Sequence, residues 1–200
     1  MRRKYLTIYF ILFLFGNNCY SQQVEKEQYE HKNLVAYLYE LRQISGEDNI
    51  THTDTILNYK LNIPIWWKIR ETPSITLFGG TFPEIDGIEN ALLFKSFSKE
   101  NFDNITDFEN WLIREYKIGD VPNWSDGSHK LLLKRELNEF ENIGNSYFVQ
   151  LNRAGQIYYC CYIAVETSNT FLWIDFTATE ETYDKNFIKL KEIIENFKII

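Results

Sequence analysis

Two periodicities organise the chain. Leu34, Leu38 and Leu41, with Val35, Tyr37 and Ile44 beside them, recur at helical spacing from Lys26 to Ser45, and Gly46 supplies the stop. Glu47 to Asp54 reads as a polar loop. Thr55–Ile63 and Trp66–Ile69 then read as a first strand pair interrupted at Pro64, which has no N–H to give a sheet ladder. Gly79-Gly80 and the stretch from Pro83 to Gly87 read as turns before a strand at Ala91–Phe97, where Leu93, Lys95 and Phe97 alternate with Leu92, Phe94 and Ser96. Thr106 with Glu109 three residues on has the form of a capping box, and Phe108, Trp111, Leu112 and Tyr116 carry a short helix to Gly119.

After a loop from Asp120 to Ser128, four extended segments follow: Leu131–Phe140, Ser146–Leu151, Gln156–Glu166 and Thr170–Ala178. Turns at Asn142–Asn145, Arg153–Gly155 and Thr167–Asn169 are too short for parallel crossovers, so these strands are expected to be antiparallel neighbours. Gln156–Glu166 is apolar in both registers, with Ile157, Tyr159, Cys161, Ile163 and Val165 against Tyr158, Cys160, Tyr162 and Ala164. Both faces of the sheet therefore need cover. One cover is a final helix, Glu180–Lys198, whose Tyr183, Phe187, Leu190, Ile194 and Phe197 form one stripe flanked by Ile188 and Ile193. Thr179 stands at its cap position, and Glu180 and Glu181 suit its positive end. The pieces build an α+β fold, an antiparallel sheet with helices on both faces.

The first residues change the picture of where the chain works. Arg2, Arg3 and Lys4 precede a ten-residue apolar stretch, Leu6–Phe15, and then a polar segment ending in Ser21. This is the form of an export signal and is too short to span a bilayer, which takes about 20 residues. Small side chains at Cys19 and Ser21 place the cleavage after Ser21, giving a start at Gln22 and a periplasmic or secreted protein. The rival, Cys19 as a lipidated first residue, is disfavoured by Asn17 and Asn18, where a lipobox has small or aliphatic residues. Removing the segment takes three basic residues and no acid, so the net charge moves from −7 to −10. Such an acidic chain is unsuited to nucleic acid or to anionic lipid. Cleavage leaves Cys160 and Cys161, whose side chains in a strand point to opposite faces and cannot form a disulfide. They read as small buried hydrophobes.

Thr55 to Ile200 resembles the PsbP-like α/β/α sandwich family, which includes periplasmic DcrB-type proteins and the release factor acting on the GTPase Ran. The carrying residues are Asn62-Ile63-Pro64-Ile65-Trp66-Trp67, the run Phe171 to Ala178, Tyr183, and the helix ending Glu195-Asn196-Phe197-Lys198. The resemblance covers residues 55–200, and because no repeat or linker divides the chain, that stretch is expected to pack with the helix at 28–45 as one domain behind a short lead. The resemblance implies a binding or assembly module and transfers no catalytic residue, cofactor or metal.

Candidate chemistry is sparse. Ser128 and His129 lack a nucleophile elbow, and His52 with Glu47, Asp48 and Asp54 matches neither a zinc nor an EF-hand spacing. Asp120, Asn123 and Asp126 around Gly127 read as a turn held by Asx hydrogen bonds. Arg135 between Leu133 and Leu137, and Asp175 beside Trp173, are charges in apolar rows. They are expected at the rim of the sheet or in a polar pocket, where each could satisfy the other. Of the five tryptophans, one of Trp66 and Trp67 and also Trp111 are expected in the core. Trp124, in a polar loop with Asp126, is the candidate recognition residue. The reading is an exported, non-enzymatic binding or assembly module with no cofactor, its partner another envelope protein. The alternative is a small periplasmic hydrolase, or a ligand or carbohydrate carrier, with a site on the sheet.

Overall fold

The computed structural model describes residues 49–55, 57–70, 77–114, 129–153 and 155–200. The export segment with its junction at Ser21 and Gln22, Cys19, the helix Lys26–Ser45, and the loop carrying Trp124 and Asp126 lie outside the described residues.

Asn49 to Asp54 is a strand, not the expected loop. Ile50 and His52 are buried while Thr51 and Thr53 are exposed, so a period of two is hidden in polar composition, and β-branched threonine suits a half-buried pleat. This β1 (Asn49–Asp54) pairs antiparallel with β2 (Tyr59–Pro64), Asn49 opposite Pro64. Their turn is held by the Leu57 N–H donating to Asp54 Oδ1 at 2.8 Å. Pro64 closes β2, and the Trp67 N–H reaches back to the Pro64 carbonyl at 3.0 Å. The expected pairing of Thr55–Ile63 with Trp66–Ile69 therefore does not form. β2 pairs with β1 and with β10 (Lys198–Ile199), whereas β3 (Lys68–Ile69) pairs with β4 (Leu77–Thr81) in a second sheet.

Gly79 and Gly80 lie inside β4 rather than in a turn. A Cβ at Gly79 would collide with the Leu92 carbonyl and one at Gly80 with the Lys68 carbonyl, so the pair is required by close backbone approach. The turn falls at Ile85–Ile88, where Asp86 and Gly87 take positive φ. β5 (Ala91–Ser98) leads through a 3-10 turn, Lys99–Asn101, to α1 (Ile105–Arg114). The cap of α1 is Asn104, whose Oδ1 accepts the Asp107 N–H at 3.0 Å. The expected Thr106–Glu109 box is displaced, and Glu109 is used elsewhere.

Four antiparallel strands, β6 (His129–Leu137), β7 (Asn145–Arg153), β8 (Gln156–Glu166) and β9 (Thr170–Thr179), precede α2 (Glu180–Glu195). The larger sheet has the order β3-β4-β5-β9-β8-β7-β6 and every pairing in it is antiparallel; the smaller has the order β1-β2-β10. Thr179 stands at the N-cap of α2, but its hydroxyl meets that of Thr182 at 3.0 Å rather than a backbone N–H.

The faces of β8 separate as its alternation requires. Cys161, Ile163 and Val165 join one apolar cluster with Tyr183, Leu190, Ile194 and Phe197 of the C-terminal run and with Tyr59 and Trp67. Cys160, Tyr162 and Ala164 join another with Phe108 and Leu112 of α1. Burying one such large side chain contributes roughly 1.5–3 kcal/mol. Ile193 is buried against the first cluster, while Ile188 turns outward at 72% exposure.

Candidate functional site

Register explains why the two charges marked in the sequence do not meet. Asp175 lies opposite Leu93 on β5 and Tyr162 on β8, whereas Arg135 lies opposite Phe148 on the edge strand β6. Phe148 belongs to the cluster beneath α2 and Tyr162 to the cluster at α1, so the two charges are on opposite faces. The expected pairing is replaced by two local ones. Lys95 Nζ donates to Asp175 Oδ2 at 2.6 Å while lying 4.0 Å over the Trp173 ring. Arg135 is exposed and lies 4.7 Å over the Phe148 ring.

Asp175 is buried, and its other oxygen accepts the Thr177 hydroxyl at 3.0 Å, which stands 3.5 Å from Cys160 Sγ. Lys95, Asp175, Thr177 and Cys160 are thus a continuous polar row across three strands. A buried carboxylate needs such partners, since ionising it alone in an apolar layer is costly.

Burial pushes the Cys160 thiol up to about 12, with Asp175 adding to the rise, and burial raises the Cys161 thiol as well. Both stay protonated at neutral pH, which removes the thiolate that nucleophilic or redox chemistry requires. His52 Nε2 is buried without a hydrogen-bond partner, and the ring stacks on Phe78 at 4.8 Å. Burial lowers its pKa against the opposing pull of Asp54. Its place is a core position, and Asp54 is occupied in the turn. His129 opens β6, and Ser128 lies outside the described residues.

A cleft of about 280 Å³ opens at the β6–β7 end of the sheet, lined by Glu136, Asn138, Glu141, Asn145 and Tyr147 among others. Glu109 from α1 organises its wall. This buried carboxylate accepts Asn145 Nδ2 at 2.6 Å and the Tyr147 hydroxyl. Burial first, then Glu109 and Glu136, raise the Tyr147 pKa, so the phenol remains a donor. Lys134 Nζ sits 3.9 Å over the same ring. The arrangement positions Glu109, Asn145 and Tyr147 relative to one another by hydrogen bonding.

Two features escape the sequence reading. One is the exposure of β6, whose strand the sequence places at Leu131–Phe140: every described side chain from Leu132 to Glu136 is exposed, with Leu132 at 43% and Leu133 at 46%. A register shift between Leu131 and Leu133 is what turns adjacent leucines outward. The other is Trp111, expected in the core. It is half-buried, packed at 5.1 Å on Phe97 and 5.5 Å on Phe102, and it lines a surface pocket. Trp67 takes the core place, fully buried, and Trp66 packs on Phe82 at 5.6 Å with Lys189 Nζ 5.5 Å from its ring. Helical spacing places Trp111 one residue short of the inward Leu112, on the shoulder of the apolar stripe. That is the signal available for it.

Among the described residues, no helix is long and apolar enough to cross a membrane. No family model and no curated protein matches the chain. Among solved structures, it is similar to the yeast (Saccharomyces cerevisiae) Ran-binding protein Mog1p, with 11% identity, coverage of 76% of this chain and 95% of that one, and a TM-score of 0.47. It is similar to a protein of unknown function from Pseudomonas aeruginosa, with 11% identity, coverage of 73% and 93%, and a TM-score of 0.45. It is also similar to cyanobacterial PsbP (CyanoP) from Synechocystis sp. PCC 6803, with 13% identity, coverage of 76% and 93%, and a TM-score of 0.51. This last likeness extends over nearly the whole of the cyanobacterial domain, and by it the chain has a PsbP-like fold.

Proposed function

We propose that the chain is an α/β/α sandwich working as an exported, non-enzymatic binding module of the bacterial cell envelope, and that it engages a protein partner along β6. The observation that carries the reading is the exposed pair Leu132 and Leu133 on a nine-residue edge strand. Among the described residues no strand pairs with the outer side of β6. Adjacent exposed leucines on a long sheet edge are an aggregation liability, tolerated where a partner covers them. Lys134 and Arg135 beside them give this strand a basic centre in a chain of net charge −7, so the partner surface is acidic and apolar.

Support for binding over catalysis is chemical. The buried thiols and the Tyr147 phenol are held protonated, and Asp175 and Glu109 are committed to Lys95, Asn145 and Tyr147. Support for export is the basic, apolar, polar order of the first 21 residues.

The test places a photo-crosslinking residue at Leu133 and, as control, at Glu192 on the exposed side of α2, in the producing cells. A discrete adduct from position 133, absent from 192 and lost in Leu132→Ser, is expected. Equal labelling from both positions, or none from either, overturns the β6 reading. Mass spectrometry of the purified chain should find Gln22 as its first residue, and an intact Met1–Ser21 segment overturns export.

A further inference from the structure

Away from β6, a pocket of about 190 Å³ opens where the 3-10 turn meets the outer side of α1, lined by Asn101, Phe102, Asp107, Asn110 and Trp111. Its floor is rigid. Phe102 and Trp111 meet at 5.5 Å with planes 60° apart, and both rest on Phe97 and Phe108 at 5.1 to 6.5 Å. Phe108 is in turn fully buried and stacked on Phe171. Its rim is polar and largely unspent. Among the described residues the side-chain amides of Asn101 and Asn110 meet no hydrogen-bond partner, and Asp107 gives one carboxylate oxygen to a long contact with the Asp103 N–H at 3.4 Å.

The lining decides the ligand class. With a carboxylate on the rim and no lysine, arginine or histidine among the described lining side chains, an anion is disfavoured. Two primary amides and a carboxylate would be left dry under a purely apolar guest, at a cost in unmade hydrogen bonds. A pyranose ring meets both demands. Its C–H face packs on an aromatic ring, and its vicinal hydroxyls donate to Asp107 and exchange hydrogen bonds with Asn101 and Asn110. The volume admits about one sugar residue, and the open mouth lets a longer glycan continue outward.

We infer that the Phe102–Trp111 pocket is a binding site for one neutral sugar unit of a glycan, with Trp111 as the stacking platform and Asp107 and Asn110 as the hydroxyl readers. This site does not touch β6, so the inference stands or falls separately from the protein partner proposed above.

Saturation-transfer NMR on the full chain tests it, with methyl α-D-glucopyranoside, methyl β-D-galactopyranoside, N-acetyl-D-glucosamine and choline chloride as probes. Choline is included because two aromatic rings and a carboxylate can also take an organic cation. Expected are millimolar binding of at least one sugar, strongest transfer to its ring C–H protons, and at least tenfold weaker binding in Trp111→Ala. Asn110→Ala, whose side chain has no partner to lose among the described residues, should weaken the same sugar with unchanged thermal stability. It serves as the test if Trp111→Ala does not fold. Transfer to choline alone, transfer to none of the three sugars, or sugar binding that Asn110→Ala and Trp111→Ala leave intact overturns the inference.

Discussion

The two faces of the seven-stranded sheet use similar residues to different ends. Beneath α2, Tyr59, Phe78, Phe94, Phe197 and Trp67 pack ring against ring at 5.6 to 6.3 Å, and Tyr59 and Trp67 are fully shielded from solvent. At α1 the rings are fewer, and polar groups are threaded among them: the Lys95–Asp175–Thr177–Cys160 row, the Glu109–Asn145–Tyr147 wall and the partly buried Trp111. Apolar burial is non-directional and rewards any dry packing, whereas each buried polar group demands a specific partner. The α2 face is therefore where stability is concentrated. The α1 face is where geometry is specified by hydrogen bonding.

The largest test sets one tryptophan from each face against the other. Trp67→Ala removes a fully buried ring from the aromatic stack and should cost about 3–5 kcal/mol. Trp111→Ala removes a ring that is only partly buried and should cost less, about 2 kcal/mol. Urea unfolding followed by far-ultraviolet circular dichroism measures both. Equal losses would mean that the α1 face is as tightly packed as its opposite and that the division drawn above is wrong.

A smaller effect tests the polar row. Lys95→Met keeps most of the stem that crosses Trp173 but leaves the Asp175 carboxylate buried without its cation, at an expected cost of about 1–3 kcal/mol. The double variant Lys95→Met, Asp175→Leu should recover most of that loss, because the penalty belongs to the orphaned charge rather than to the missing bridge. If the double variant is as unstable as the single one, the row contributes through packing and not through pairing.

How much of this was legible in the sequence follows the same division. β8, β9 and the inward stripe of α2 are plain because apolar burial writes itself as periodicity, and Cys160 and Cys161 fall on opposite faces by alternation alone. β1 was not, since only Ile50 and His52 mark its inner face and the rest of Asn49–Asp54 is polar. Gly79 and Gly80 carry the composition of a turn, yet they are set in β4 by neighbours from Leu92 and Lys68 that no local window contains. The partners of charged groups were the least visible. Asp175 stands out as a charge needing a partner, but choosing Lys95 over Arg135 requires knowing that β5 and not β6 adjoins β9. Likewise Glu109 sits three residues after a threonine, which suggests a cap. Its actual partners, Asn145 and Tyr147, come from a strand whose place beside α1 is a matter of topology. The site at α1 is thus built from residues that sequence spacing marks individually and that only the fold brings together.

His52 sharpens the comparison from the other side, because it is a polar group on the face assigned to stability. Its ring stacks on Phe78 and meets Tyr59 edge-on at 6.1 Å, its Nε2 has no partner, and burial lowers its pKa below the ordinary 6.5. About one unit or more above pH 6.5 the histidine is neutral whether the chain is folded or not, so it contributes no pH dependence there. As the pH falls through 6.5, the unfolded chain takes up a proton that the folded chain still refuses. The unfolded state then binds more protons, and stability declines until the pH passes below the folded-state pKa. His52→Phe preserves the stacking surface and removes the titration. Unfolding free energies of the two proteins should therefore run parallel above about pH 7.5 and diverge as the pH falls through 6.5, with the variant losing less. A parallel course down through pH 5 would mean that the imidazole finds a partner on protonation, and that this face too is built to hold a charge.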